Sequence, residues 1–499
     1  MGECVPQYRE LYSISDLHLG GSSPKNQIFC QGRRLKAFIE RLAEKPGPLA
    51  LVIAGDLFDS LPYLTGSGGY IAVDSAVDII EQVMSNASFA PVFDGLRGFV
   101  AGPGHELVIL IGNHDLEIAL PETQERLLAE IAPDSAARGR VRFSTSGGGF
   151  RCRVGSSTVY VTHGNEADPW NQVDHDALRR AAHARSLGQV FDARGWVPNA
   201  GTKLVIDVMN QIKETHPFID LLKPESKAAV RTLSVLAPRN LWALFEALPA
   251  FADAAMAHAG PQVVLGSGQQ AVAAAPPVVR LLGEASRSMA QSAAPRAGAL
   301  HERVAQLQQS GKRPEELVSD DGGTLGYPKV WWDRVTGRDQ ADALRDALRD
   351  WVHGDESFNL ADSDSLCRGI LSQVGPNVDV VITGHTHLPR WITPQDRNLV
   401  YLNAGAWARV IGLRTEFLET PDAFRPVHQA FKASNLSVLD ETQVTVDDVN
   451  LPLVLDATAA AHVVEENNQT RAELVRVTYR DSVVAEQLVD RGKSVLEWR

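Results

Sequence analysis

Five short stretches of the chain place carboxylate, amide and imidazole side chains at close spacing. SDLHL carries Asp16 and His18, GDLFD carries Asp56 and Asp59, and GNHD carries Asn113, His114 and Asp115. THGN carries His163, and TGHTH carries His385 and His387. Mixed nitrogen and oxygen donors of this kind suit Mn²⁺, Fe or Zn²⁺ better than a soft thiolate site. Taken singly, each stretch has an ordinary reading. DLH could be a capped turn, GDLFD a strand-to-helix turn with Asp as N-cap, and GNHD a tight turn that uses Gly and Asn. An HxH pair decides little, because histidine also serves as a partly buried hydrogen-bonding residue. Together the five make poor turns, since clustered carboxylates repel one another and are costly to bury. The set therefore predicts a metal site. In an extended backbone successive side chains alternate, so His385 and His387 share a face and Thr386 points away.

Each stretch ends an apolar run. LYSISDLHL, LALVIAGDLF, HELVILIGNHD, STVYVTHGN and VDVVITGH predict strands, and NLVYLNAGAW predicts a sixth. GRRLKAFIERLAE and SAVDIIEQVM carry apolar residues at helical spacing, as layers packed on a sheet do. Strand ends in α/β proteins converge on one side of a shared scaffold, so five such ends can build one site. The first part of this core is expected over residues 8–170, a mainly helical insertion over 171–370, the second part of the core over 371–425 and a small strand-rich C-terminal region over 426–499. In the insertion, VDHDALRRAAHARSL, KLVIDVMNQI, LWALFEAL and RDQADALRDALRDWV predict helix. Arg179 and Arg180 in the first of these are candidates for a substrate phosphate, although helix arginines are mostly just solvated. Residues 254–310 are rich in Ala, Gln, Gly, Ser and Pro, which disfavours a bilayer span and suggests a loosely packed helical segment or lid.

The whole chain has 499 residues and a formal net charge of −13, which disfavours broad attraction to nucleic acid or an anionic membrane. No Lys- or Arg-rich stripe interleaved with aromatics marks a nucleic-acid groove. The cysteines at positions 4, 30, 152 and 367 lack any CxxC spacing, against a zinc ribbon or disulfide framework. The first residues show no basic region followed by an apolar run, and a cytoplasmic location is expected.

The order DxH, GDxxD, GNHD, a later His and GHxH resembles the calcineurin-like metallophosphoesterase superfamily, over roughly residues 11–170 and 376–412. The resemblance implies a four-layer α/β sandwich of two mixed β-sheets flanked by helices, with the large insertion outside the common core. It implies a dinuclear centre in which Asp16, His18 and His387 hold one ion, Asn113, His163 and His385 hold the other, and Asp56 bridges. Mn²⁺ is the first expectation, with Fe or Zn²⁺ as alternatives. The implied activity is hydrolysis of a phosphodiester or pyrophosphate bond in a phosphate-ester substrate, with metal-bound hydroxide as the nucleophile. His114 would protonate the departing oxygen, and Asp115 is expected to orient its imidazole. Asp59 has two readings, a hydrogen bond that fixes a site residue or a cap on the following turn. Gly55, Gly112 and Gly384 are expected to permit close turns, and Asn403 either lies near the site or serves a turn.

Two branches of the superfamily are similar in the wording of SDLHLG and GDLFD, the UDP-2,3-diacylglucosamine pyrophosphatases and the Mre11-type nucleases. HGNEADPWN, with Asp168 after His163, resembles the first branch, except that Asn165 stands where that branch has Asp. The insertion is larger than a lid over two acyl chains needs to be, and a protein partner could dock there. A non-catalytic scaffold is the reading from a different class, but it would be marked by a lost ligand or a lost His114, and none is lost.

Overall fold

The computed structural model describes residues 5–21, 23–64, 68–223, 339–352 and 357–498, with residues 232, 235, 236 and 355 besides. The chain divides into two compact units, one of residues 1–217, 356–412 and 454–499, the other of 218–355 and 413–453.

The first unit is built on two mixed sheets. The larger has the strand order Val483–Leu488, Gln469–Arg480, Ala459–Glu466, Glu10–Ile14, Leu49–Ala54, His105–Leu110, Val141–Ser144. The smaller runs Gln7–Tyr8, Phe150–Val154, Ser157–Val161, Val380–Thr383, Val400–Asn403, Arg390–Ile392. LALVIA shows why the layers stack as they do. Every residue of it is buried, as a strand covered on both faces requires. Ala50, Val52 and Ala54 join Val161, Ile382 and Leu402 of the other sheet in one core, whereas Leu49, Leu51 and Ile53 pack toward helices. Helix Gly32–Ala43 meets that outer face with Leu35, Phe38, Ile39 and Leu42, spaced for one stripe. Helix Ser365–Gln373 covers the outer face of the smaller sheet, with Cys367 and Ile370 against Val381 and Tyr401. The result is the expected four-layer sandwich of two mixed sheets flanked by helices.

Strand register carries the motifs to one edge. Ile14 pairs with Ile53 and Ile53 with Ile109, all in parallel, so the loops bearing Asp16, Asp56 and Asn113 leave the sheet side by side. In the smaller sheet Ile382 pairs in parallel with Val161 and with Leu402, which does the same for His163, His385 and Asn403.

The C-terminal stretch is not a region apart. Ala459–Glu466 pairs antiparallel with Glu10–Ile14, Leu11 opposite Val463, and two further strands extend the sheet from there. Ala459, Ala460, Ala461, Val463, Leu474 and Val477 are buried, so these strands share the core of the first unit. Residues 413–453, divided by the expected boundaries, belong instead to the second unit. That unit has helices Gln340–Val352, Thr415–Glu419, Pro421–Ala433 and Leu436–Glu441 and the hairpin Gln443–Val446 with Val449–Pro452. Within it Phe218 stacks on Phe431 with ring centroids 4.2 Å apart. The expected helix LWALFEAL and the segment 254–310 lie outside the described residues. Among the described residues no helix is long and apolar enough to cross a membrane.

The seam between the C-terminal strands and Glu10–Ile14 holds a buried polar cluster. His462 Nε2 lies 2.7 Å from Glu10 Oε1, and its Nδ1 lies 3.2 Å from Glu473 Oε1. Lys45 Nζ also donates to Glu10, at 2.7 Å. Burial disfavours the imidazolium, but the bonds to Glu10 and Glu473 outweigh it and raise the His462 pKa. Burial likewise opposes the Glu10 carboxylate, and His462 and Lys45 together lower it to about 2. The His462 contribution is full below about pH 6.5, its unfolded value, and is lost as pH rises through the higher folded value. The Glu10 contribution is full above about pH 4.3 and is lost as pH falls toward its depressed value. The difference in Tm between wild type and His462→Gln is therefore expected to be largest between those limits and to shrink on the alkaline side. A difference that grows steadily toward high pH would contradict this.

Candidate metal centre

Among non-glycine residues, Asp16, His18, Asp56, His385 and His387 all have positive φ, between 50° and 69°. Such left-handed backbone is uncommon outside glycine and collects at functional sites, where packing must hold it. Here it turns the chain sharply as each strand ends. The extended reading of TGHTH therefore fails, since the strand stops at Thr383 and both histidines sit on curled backbone. His387 reaches Asp16 and His18, while the His385 ring lies 5.2 Å from that of His163. Glycine allows the loops to close. A Cβ on Gly112 would stand 2.0 Å from Asp56 Oδ1, and one on Gly384 would stand 2.4 Å from Asp16 Oδ2.

The side-chain donors converge. His18 Nε2 is 3.0 Å from His387 Nε2 and 3.6 Å from Asp56 Oδ2, and His387 Nε2 is 3.3 Å from Asp16 Oδ1. His163 Nε2 is 3.3 Å from both Asp56 Oδ2 and Asn113 Oδ1. Three triads have ligand atoms within 4.8 Å of one another: Asp16, His18 and His387; Asp16, Asp56 and His163; His18, Asp59 and His114. Donors about 2.1 Å from a shared cation stand roughly 3.0–3.4 Å apart, so most of these spacings match coordination edges. Asp16, His18, Asp56, Asn113 and His163 are all buried.

Hydrogen bonding tests whether a cation fits. His163 Nδ1 lies 2.8 Å from the carbonyl of Ala54, which can only accept, so that nitrogen carries the proton. In the neutral ring Nε2 is then a lone pair, aimed at two oxygens that are also acceptors. His18 Nδ1 is buried and finds no hydrogen-bond partner among the described residues. A pocket of acceptors facing acceptors calls for positive charge. The electrostatics make the same demand. Burial disfavours protonation of His163, yet Asp56 and Asp16 push it up to about 10. Burial also opposes ionised Asp56, while His163 and His114 hold its carboxyl far below the usual range.

His114 sits beside the cluster, its ring 4.7 Å from that of His18 and edge-on to it. Its side chain keeps 21% exposure. Its Nδ1 lies 3.1 Å from Asp59 Oδ1, so Asp59 orients this imidazole. Burial opposes its charge, but Asp56 and Asp59 push His114 up to about 9. The expectation that Asp115 would do the orienting is corrected here. Asp115 accepts from the backbone N–H of Gly112 at 2.7 Å and of Leu57 at 2.8 Å, which ties two loops together. Burial and the nearby Asp56 charge push the Asp115 carboxyl up to about 7. The two aspartates should therefore separate experimentally. Asp59→Asn is expected to lower kcat by about 10- to 100-fold with little change in Tm. Asp115→Asn is expected to cost about 1–3 kcal/mol of stability, because one loop N–H loses its acceptor. Parallel thermal melts and kinetics distinguish them, and a reversed pattern would overturn the assignment.

Other neighbours brace the loops. Asn403 donates to the carbonyl of Gly384 at 2.7 Å and to Thr386 Oγ1 at 3.1 Å, so it clamps the GHTH turn. The segment 200–214 touches three of the loop regions. Gly201 N–H donates to the Trp170 carbonyl at 2.8 Å, Asn210 Nδ2 to the Leu61 carbonyl at 3.0 Å, and Lys25 Nζ to the carbonyl of Glu214 at 3.2 Å. Lys213, 8% exposed, places a cation whose charge acts on both Asp59 and His114. Nothing in the sequence pattern singled it out. Arg179 and Arg180 lie exposed on helix His175–Ser186, with Arg179 3.6 Å from Asp176.

Residues 11–216 match the family model described as calcineurin-like phosphoesterase. No curated protein matches the chain.

Proposed function

For a chain that belongs, through residues 11–216, to the calcineurin-like metallophosphoesterase superfamily, we propose hydrolysis of a phosphodiester or pyrophosphate bond at a dinuclear centre. Asp16, His18 and His387 would hold one divalent ion, Asn113, His163 and His385 the other, and Asp56 would serve both. Bound there, such ions supply Lewis acidity toward phosphate oxygens and lower the pKa of a water. Mn²⁺ is the ion we assign first, and Fe or Zn²⁺ suits the same donors.

The observation that carries this reading is the His163 geometry, a lone pair and two acceptor oxygens pointed at one place. The protein's own groups supply the rest. Asp59 accepts a hydrogen bond from His114 Nδ1–H and favours the imidazolium, whose Nε2–H would pass its proton to the departing oxygen. The exposure of that ring keeps it within reach of a substrate. The paired oxygen and nitrogen donors orient the reacting groups, and their burial limits competing water.

The test is to strip the protein of metal, restore Mn²⁺, Zn²⁺ or Fe²⁺ separately, and offer diesters, monoesters, nucleotide sugars and single- or double-stranded DNA. Products identified by ³¹P NMR name the bond. Cleavage of a diester or pyrophosphate that requires added metal is expected. Cleavage of DNA would favour the nuclease branch, which the net charge of −13 disfavours. No turnover with any ion would favour a scaffold.

A further inference from the structure

We propose that Asp168 is a positioning residue that fixes the His385 proton on Nε2 and so reserves Nδ1 for a metal ion. This rests on the reading of His385 as a ligand.

His385 Nε2 lies 3.0 Å from Asp168 Oδ2. An ionised carboxylate only accepts, so this contact requires Nε2 to carry the hydrogen and leaves the neutral ring one lone pair, on Nδ1. The backbone of His385 is anchored separately, its N–H donating to Asp16 Oδ2 at 2.9 Å. Asp168 therefore acts on the ring's tautomer and torsion.

The carboxylate is itself held in place. Its Oδ1 accepts from the Trp170 N–H at 3.0 Å, and its Oδ2 also accepts from Asn171 Nδ2 at 2.7 Å. That second bond has a consequence for the opposite side of the site. With Nδ2 engaged by Asp168, Asn171 turns Oδ1 toward Asn113 Nδ2, at 3.5 Å. Asn113 then presents its own Oδ1 toward His163 Nε2. One carboxylate thus orients two of the three side chains expected to hold the same ion, His385 directly and Asn113 through Asn171. The side-chain bonds of Asp168 thus go to Trp170, Asn171 and His385.

The effect should be confined to one ion. Partners that orient metal ligands are typically worth about 10- to 100-fold in affinity. Asp168→Asn can keep the Trp170 bond through Oδ1, but it then presents N–H to His385 Nε2 and drives the ring proton to Nδ1. Asp168→Ala removes the acceptor without offering a competing donor.

Mn²⁺ binding to the full-length, metal-stripped protein tests this by isothermal titration, with ¹⁵N NMR of the metal-free protein reporting the His385 tautomer. We expect two ions in wild type, one affinity lowered about 10- to 100-fold in Asp168→Asn with the other unchanged, a smaller loss in Asp168→Ala, and the His385 proton moved to Nδ1 in the Asn variant. A merely structural role would make alanine the worse substitution and would leave the tautomer alone. His385→Ala separates the two claims. If it still binds two ions as wild type does, His385 is no ligand and the underlying reading fails. If it loses one ion while Asp168→Asn loses none, the positioning role alone is overturned.

Discussion

His114→Ala is expected to lower kcat by about 10²- to 10⁴-fold while both ions remain bound. The imidazole lies beside the donors, its Nδ1 is occupied by Asp59, and its side chain is more exposed than those of His18, His163, His385 and His387. A group that donates a proton to the departing oxygen matters most when that oxygen leaves poorly. The loss should therefore be larger for an alkyl ester than for bis-p-nitrophenyl phosphate, whose leaving group needs little help. Steady-state kinetics on the two substrates, with metal content measured on the same samples, check the prediction. An equal loss on both, or loss of metal, would place His114 elsewhere in the mechanism.

Asp56→Asn should be the most damaging single change, with kcat/KM reduced by on the order of 10³-fold or more, because several kcal/mol of transition-state stabilisation depend on the ions. The Asp56 carboxylate meets both halves of the site, with Oδ2 3.6 Å from His18 Nε2 and 3.3 Å from His163 Nε2. Its Oδ1 accepts the N–H of His114 at 3.0 Å, which also ties the GNHD turn to the GDLFD loop. The amide keeps the shape and removes the charge. A ligand that binds only the folded state raises Tm, so the rise produced by Mn²⁺ in wild type should vanish in the variant. A Tm increase of wild-type size in Asp56→Asn would show that this carboxylate does not hold metal.

What could be seen in the sequence was local. LALVIA and VVIT are apolar on both faces, so they had to be strands covered on both sides, and the polar residues that follow them had to lie at strand ends. What could not be seen depends on turn geometry or on distant pairing. Asp59 and Asp115 are both aspartates close to His114 in the site, and which one meets its Nδ1 is decided by how two turns curl. The left-handed backbone at His385 and His387 has no signature in GHTH, because it is uncommon for any residue other than glycine, even though histidine adopts it more readily than most. The contact of Asp168 with His385 spans 217 positions, and the bond of His462 to Glu10 spans 452. AAAHVVEE can be read as a strand but does not name its partner, so the tail's place in the first sheet emerges only from the fold.

The most direct measurement is hydrolysis of bis-p-nitrophenyl phosphate by metal-stripped protein titrated with Mn²⁺. Almost no turnover is expected without metal, followed by a rise that saturates at two equivalents per chain. Turnover that persists under chelation, or that is complete at a single equivalent, would contradict a centre in which Asp56 joins two ions.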